Sequence, residues 1–220
     1  MNWRILRNAP WLDTRARFVA GLPRSGALLD LGSSDGETLN HIAELRPDLR
    51  LHSVDIAGRP ENYPSGCSFV RADLQSDLLP WSAGSMDGIT CMHLVEHLTR
   101  LDHLISEVAR LLKPGGMVYF ETPHPKTVAF PSPPGDGAGR FTYNFYDDIT
   151  HVRPVSAGGL ARYSRDAGLE IIRSGISRNW LFFWSYPLLF FAGYSRQKMT
   201  ARAHFHGWTA YLIASKSKMI

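Results

Sequence analysis

Residues 28–36 read LLDLGSSDG, an apolar run that closes on Asp30 and Leu31 and then breaks into glycine, serine and acid. A run this short, bounded by turn-formers, reads as a strand at Ala27–Leu31 covered on both faces. A helical stretch to about Leu45 follows, so a ligand approaching the turn lies beneath a helix N-terminus, where glycine lets backbone come close. A dinucleotide fingerprint calls for glycines at 32, 34 and 37, but Ser34 and Glu37 hold the last two. Asp35 and Glu37 also place negative potential where a pyrophosphate needs positive. The turn therefore suits a cationic ligand with amino-acid character.

Outward from this unit the rhythm repeats. Strands are expected at 49–56, 67–71, Met86–Met92, 117–121, 169–177 and about 208–215, with helices over 98–112 and 155–167. Strands alternating with helices, several too apolar for one-sided burial, predict an α/β fold with a mostly parallel sheet and helices on both faces. Such sheets bind ligands beyond the carboxyl ends of their strands. Asp55 ends the second strand, where a carboxylate accepts from ribose hydroxyls, with Ile56 beside it. Ala72, Asp73 and Leu74 follow the third strand, where a carboxylate takes an exocyclic amine and an apolar side chain packs on a base. One acid after a strand is often a cap. Three acids after three successive strands point to a nucleoside.

The whole chain sets bounds. Its 220 residues, 44% hydrophobic and 20% charged, suit one domain spanning 1–220 with a sizeable core. A net charge of +4 with scattered basic residues gives no reason to expect a nucleic-acid partner. Cys67 and Cys91 lie in strand-like stretches and are expected to be free thiols, as in a reducing compartment. No signal peptide is read at the N-terminus, and no run reaches the roughly 18 apolar residues of a spanning helix. A cytoplasmic protein is expected, with peripheral contact at the inner face of the membrane as a variant of that reading.

The motifs LLDLGSSDG, SVDI, FVRADL, MDGITCMHLVEHL and LLKPGGMVYFETP, spread over residues 28–122, together resemble the class I S-adenosylmethionine-dependent methyltransferases. The resemblance implies a Rossmann-like seven-stranded sheet whose last strand is antiparallel, with 26–122 as the cofactor-binding core. It also implies S-adenosyl-L-methionine as cofactor. Methionine-moiety contacts would fall to Asp30, Gly32 and Gly36, ribose to Asp55, adenine to Asp73 and Leu74, and packing to Met92. Ser34 stands where the family has its middle glycine.

Inside CMHLVEHL, residues 91–98, sits His93-Leu-Val-Glu96-His97. Alone it has the H-x-x-E-H order of one group of zinc peptidases, but that reading leaves the neighbouring cofactor motifs unexplained. The stretch is most similar to the C-M-E-x-x-E-H pattern of the coenzyme Q biosynthetic O-methyltransferases, with His93 in place of the first glutamate. In that group the motif is associated with a divalent cation. If the segment is helical, His93, Glu96 and His97 share a face. They then either hold Mg2+ or another divalent cation, serve as a general base, or fix the local backbone. His97 and His151 are the candidate bases.

Residues 123–155 form a turn-rich insertion expected to act as a lid on the substrate side. Within it, DDITHVRP resembles a stretch seen in many bacterial methyltransferases. His124 and Arg153 are candidates to meet an acidic or hydroxylated substrate, or to pin the insertion to the domain. Residues 180–206 form an extension between the last two strands, with the apolar run LFFWSYPLLFFAGY at 181–194. That run either folds onto the core, covers an apolar substrate, pairs two copies in a homodimer, or meets a membrane surface. The function expected is O-methylation of a small or lipid-linked hydroxylated acceptor. Methylation at carbon or nitrogen, and a non-catalytic cofactor-binding protein working through its apolar surface, are the rivals.

Overall fold

The protein is described here by a computed structural model covering residues 3–132 and 142–218; the stretch GDGAGR of the insertion lies outside the described residues. Seven strands form one sheet: β1 Ala27–Leu31, β2 Arg50–Asp55, β3 Ser68–Arg71, β4 Met86–Met92, β5 Leu112–Pro123, β6 Leu169–Ile176 and β7 Thr209–Lys216. Their order is β3-β2-β1-β4-β5-β7-β6. The first five run parallel, and β7 is antiparallel to both its neighbours. The chain reverses between β1 and β4, the switch point where such sheets leave a crevice.

Alternation along the strands sorts the core into two layers. Ala27, Leu29 and Leu31 of β1 face α3 (Asp102–Leu111) and α4 (Ala157–Asp166), meeting Leu104, Val108 and Leu160. Leu28 faces the other way, toward α1 (Thr14–Ala20) and α2 (Glu37–Leu45), with Phe18, Leu39 and Ile42. By the same period of two, Asp30 falls on the α2 side. On β5, Tyr119 and Glu121 fall on the α1 side, while Val118 and Phe120 join the first layer.

Two differences from the sequence reading have clear causes. β5 starts at Leu112, because the KPGG turn is drawn into the sheet through a register irregularity between Met86 and Gly88. The 180–206 extension is a helical hairpin, α5 (Trp180–Leu189) and α6 (Arg196–His206). Asn179 and Ser195 cap the two helices through backbone amides.

The N-terminal arm is tied down at both ends. At the far end of α1, the Arg46 guanidinium donates to the carbonyls of Val19, Ala20, Leu22 and Pro23 and pairs with Asp48. At the near end, Asp13 caps α1 and accepts from Asn179 Nδ2 at 2.8 Å, and Thr14 exchanges hydrogen bonds with the Arg178 backbone.

Candidate functional site

The glycine turn after β1 is built from left-handed backbone. Gly32, Ser34 and Gly36 have φ of +75°, +46° and +78°. A side chain at Gly32 would meet Leu94 at 3.0 Å, and one at Gly36 would meet Asn62 O at 2.7 Å. Ser34 takes its conformation at a strain of about 1–2 kcal/mol, offset by local anchoring. Its N–H donates to Asp55 Oδ2 at 2.8 Å, and its carbonyl accepts from the Tyr63 hydroxyl.

The strand-end acids line up as the sheet requires. Asp30 is buried and paired in register with Thr90, whose hydroxyl donates to it at 2.7 Å. Burial raises its pKa to about 7; the Thr90 bond opposes this and the Asp55 charge adds to it. Asp55 accepts from the amides of Ser34 and Ala57, which aims its carboxylate back at the glycine turn. Asp73 accepts from Gln75 N, so it caps a turn as well as facing the third strand's end. Ala72 and Leu74 are buried, Met92 is half-buried, and Ile56 is 64% exposed.

This arrangement fits a cationic nucleoside on structural grounds. The turn's glycines let its backbone pack directly on Leu94 and Asn62 at the strand ends, beside Asp30 and Asp55, and a carboxyl half-ionised near neutrality gains from a positive neighbour. A carboxyl whose folded pKa lies above its unfolded value holds extra protons when folded. Asp30 therefore removes stability from the unliganded protein as pH rises from about 4 to about 7. A cation bound beside it reverses that by displacing the proton. Calorimetry with S-adenosylmethionine should thus show roughly eightfold tighter binding at pH 7.5 than at pH 6, with proton release, and Asp30→Asn should flatten the dependence. A pH-independent affinity in the parent would remove Asp30 from the ligand site.

Beyond β4 the structure departs from the expected helix. His93 has φ of +54°, and only Val95–His97 form a single 3-10 turn. The three residues therefore do not share one face. His93 Nδ1 lies 3.2 Å from Glu96 Oε1, and its Nε2 lies 3.5 Å from the Arg15 guanidinium. Both ring nitrogens of His93 are thus engaged, by Glu96 and by Arg15.

His97 turns instead toward the insertion. Thr150 donates its hydroxyl hydrogen to Asp148 at 2.6 Å, so that oxygen accepts from His97 Nδ1 at 2.9 Å. His151 Nδ1 lies 2.5 Å from the Phe145 carbonyl, which can only accept. Both rings are thus anchored through an Nδ1 donor, and His151 Nε2 lies 3.8 Å from Asp148 Oδ2. Their centroids are 4.8 Å apart. Ligating atoms of Glu96, His97 and His151 lie within 4.8 Å of one another, and Glu96 Oε2 is buried without a hydrogen-bond partner. His151 thus takes the place expected of His93. The backbone joins the two segments, Val152 N donating to Glu96 O at 2.8 Å.

Other expected substrate residues disperse. His124 faces a depression with Ser156, Ile176 and Ala210, and its Nδ1 accepts from Lys126 N. Arg153 is exposed. The large cavity, about 890 Å³, opens instead beside the N-terminus of α2. Asp13 and Arg15 of the N-terminal arm wall it, with Thr38 and His41 of α2 and Phe182 and Thr200 of the hairpin.

Behind that wall is a network the sequence reading missed. Glu121 is fully buried, pairs with Arg15 at 2.5 Å and accepts from the Tyr119 hydroxyl at 2.8 Å. Burial pushes the Glu121 pKa up, but Arg15 and His93 outweigh it and hold the carboxyl below its ordinary value. The signal was present in MVYFE: an acid ending an apolar central strand needs a cation. A polar chain thus runs from the cavity through Arg15 and His93 to Glu96.

The family described as "Methyltransferase domain" matches residues 3–174. The ubiquinone biosynthesis O-methyltransferase of Thiobacillus denitrificans is 30% identical over 170 residues, covering 73% of this chain and 69% of that protein. Its counterpart in Xanthomonas axonopodis pv. citri is 31% identical over 163 residues, 68% of this chain and 64% of that one. The chain thus spans about two thirds of the length of these curated relatives. An S-adenosylmethionine-dependent methyltransferase structure from Mesorhizobium loti matches with a TM-score of 0.64 at 20% identity, covering 96% of this chain and 98% of that one.

Proposed function

The chain belongs to the S-adenosylmethionine-dependent methyltransferases, and from that premise we propose that it methylates a hydroxyl oxygen of a small or lipid-linked acceptor. One observation carries the choice of oxygen: the imidazoles of His97 and His151 gather with the buried Glu96 carboxylate, each ring anchored through Nδ1, a set suited to removing a hydroxyl proton. The curated relatives, named as O-methyltransferases, support the same atom.

S-adenosylmethionine supplies a methyl group already activated on a sulfonium. The protein's share is to align the acceptor, exclude water and take the proton. Asp30, the 32–36 turn, Asp55 and Asp73 hold the donor. His97 or His151 accepts the hydroxyl hydrogen at Nε2, each ring being held by its Nδ1 bond.

Glu96, His97 and His151 also form a set that could hold a divalent cation, which would lower the pKa of a bound hydroxyl. Two ligands about 2.1 Å from one ion lie at most about 4.2 Å apart, so the cluster would close by roughly half an ångström. Two imidazoles with one carboxylate favour a transition ion over Mg2+.

Incubating the protein with methyl-labelled donor and a panel of phenolic, amine and activated-carbon acceptors tests the proposal. Label in an ether product is the expected outcome. Label confined to nitrogen or carbon products would refute it.

A further inference from the structure

Helix α5 divides into two faces. Phe183 and Tyr186 pack on Phe205 of α6, and Phe182 stacks on His204. Trp180, Trp184, Leu188 and Phe191 recur at helical spacing on another side, with exposures of 39%, 68%, 84% and 93%. Isolated exposed apolar residues are ordinary, but an aromatic stripe that becomes barer toward the hairpin tip is not.

The C-terminal segment that bears the stripe is one-sided in charge. Arg173, Arg178, Arg196, Lys198 and Arg202 flank the stripe in sequence, and Lys216 and Lys218 lie away from it, by Ala109 and Gly115. Residues 171–220 hold seven of the chain's 24 Lys and Arg and none of its 20 Asp and Glu. They carry +7 while the preceding 170 residues carry −3. At its base the stripe meets a groove lined by Trp11, Arg17, Ile172, Arg173 and Trp180, with Arg178 stacked 4.8 Å from the Phe183 ring. Arg196 faces Glu37 at 3.9 Å and is partly neutralised by it.

We propose that the α5 tip and this basic groove form a docking surface for an anionic lipid bilayer. Tryptophan and phenylalanine with neighbouring arginine match the interface of such a membrane: rings enter the headgroup boundary and guanidinium groups meet lipid phosphates. A second copy of the chain is the poorer occupant, because two-fold pairing sets the same surface against itself, here with no acid from this segment to meet its cations. No helix among the described residues is long and apolar enough to cross a membrane, so contact would be peripheral. The inference is independent of which acceptor atom is methylated.

Flotation of the full chain with phosphatidylcholine–phosphatidylglycerol vesicles tests it, with pure phosphatidylcholine alongside. The parent should float with the anionic vesicles at low salt, lose binding at high salt, and show blue-shifted tryptophan emission when bound. Phe191→Asp, at a site too exposed to threaten folding, and Leu188→Ser should each weaken partitioning at least about tenfold. Neither should alter affinity for S-adenosylhomocysteine. Failure of the parent to float with anionic vesicles, or equal flotation by both variants, would overturn the proposal. So would a dimer in sedimentation that Phe191→Asp dissolves, which would give the surface to a second copy.

Discussion

Replacing Glu121 with alanine is expected to destabilise the protein by about 3–5 kcal/mol, because it removes the carboxylate that Arg15 contacts directly and leaves that charge only the more distant Asp13. For a domain of this size that corresponds to a fall in melting temperature of roughly 6–20 °C. The loss should be greatest where the pair is intact. Glu121 has a depressed folded pKa, so its stabilisation is full above the ordinary glutamate range and fades as pH falls through the folded value. Glu121→Gln keeps an acceptor for Tyr119 and should lose less. Thermal melts at neutral and acid pH would show the effect, and an alanine variant melting within two degrees of the parent would remove the pair from the account of what fixes α1.

The second large effect belongs to the histidines. Asparagine can reproduce the Nδ1 donor of histidine but offers nothing at Nε2. His97→Asn keeps a donor toward Thr150, and His151→Asn keeps one toward Phe145. Each should therefore lower kcat by about 10²–10⁴ with little change in donor affinity. The double variant should be scarcely worse than the poorer single one, since residues acting as a unit are not additive. Single-turnover rates and product calorimetry would measure both quantities. Unchanged kcat in either variant would assign that ring to holding the insertion in place.

Local pattern made the first five strands and the acids at their ends readable. Met86–Met92 needed only an apolar run between turn-formers, and Asp30, Asp55 and Asp73 follow because parallel strands deliver their ends to one edge. The helical face drawn through His93, Glu96 and His97 failed for a physical reason. His93 takes a left-handed conformation that a non-glycine residue gives no sign of in sequence. His151 reaches Glu96 and His97 only through tertiary folding across more than fifty residues. The run at 181–194 resisted assignment because α5 is apolar nearly all round, so periodicity could not tell which face is covered.

The fastening of the N-terminal arm has a bearing on acceptor range. One jaw of the cavity is the N-terminal arm, stitched to Arg46 at one end and, through Asp13 and Thr14, to Asn179 and Arg178 at the root of the hairpin at the other. Only the hairpin beyond that root is untethered to the arm by these bonds. The opposite jaw is α5 and α6, which pack chiefly on each other. Any widening to admit a bulkier guest must therefore come from the hairpin's side, and changes in selectivity would be written there while the donor's berth stays put.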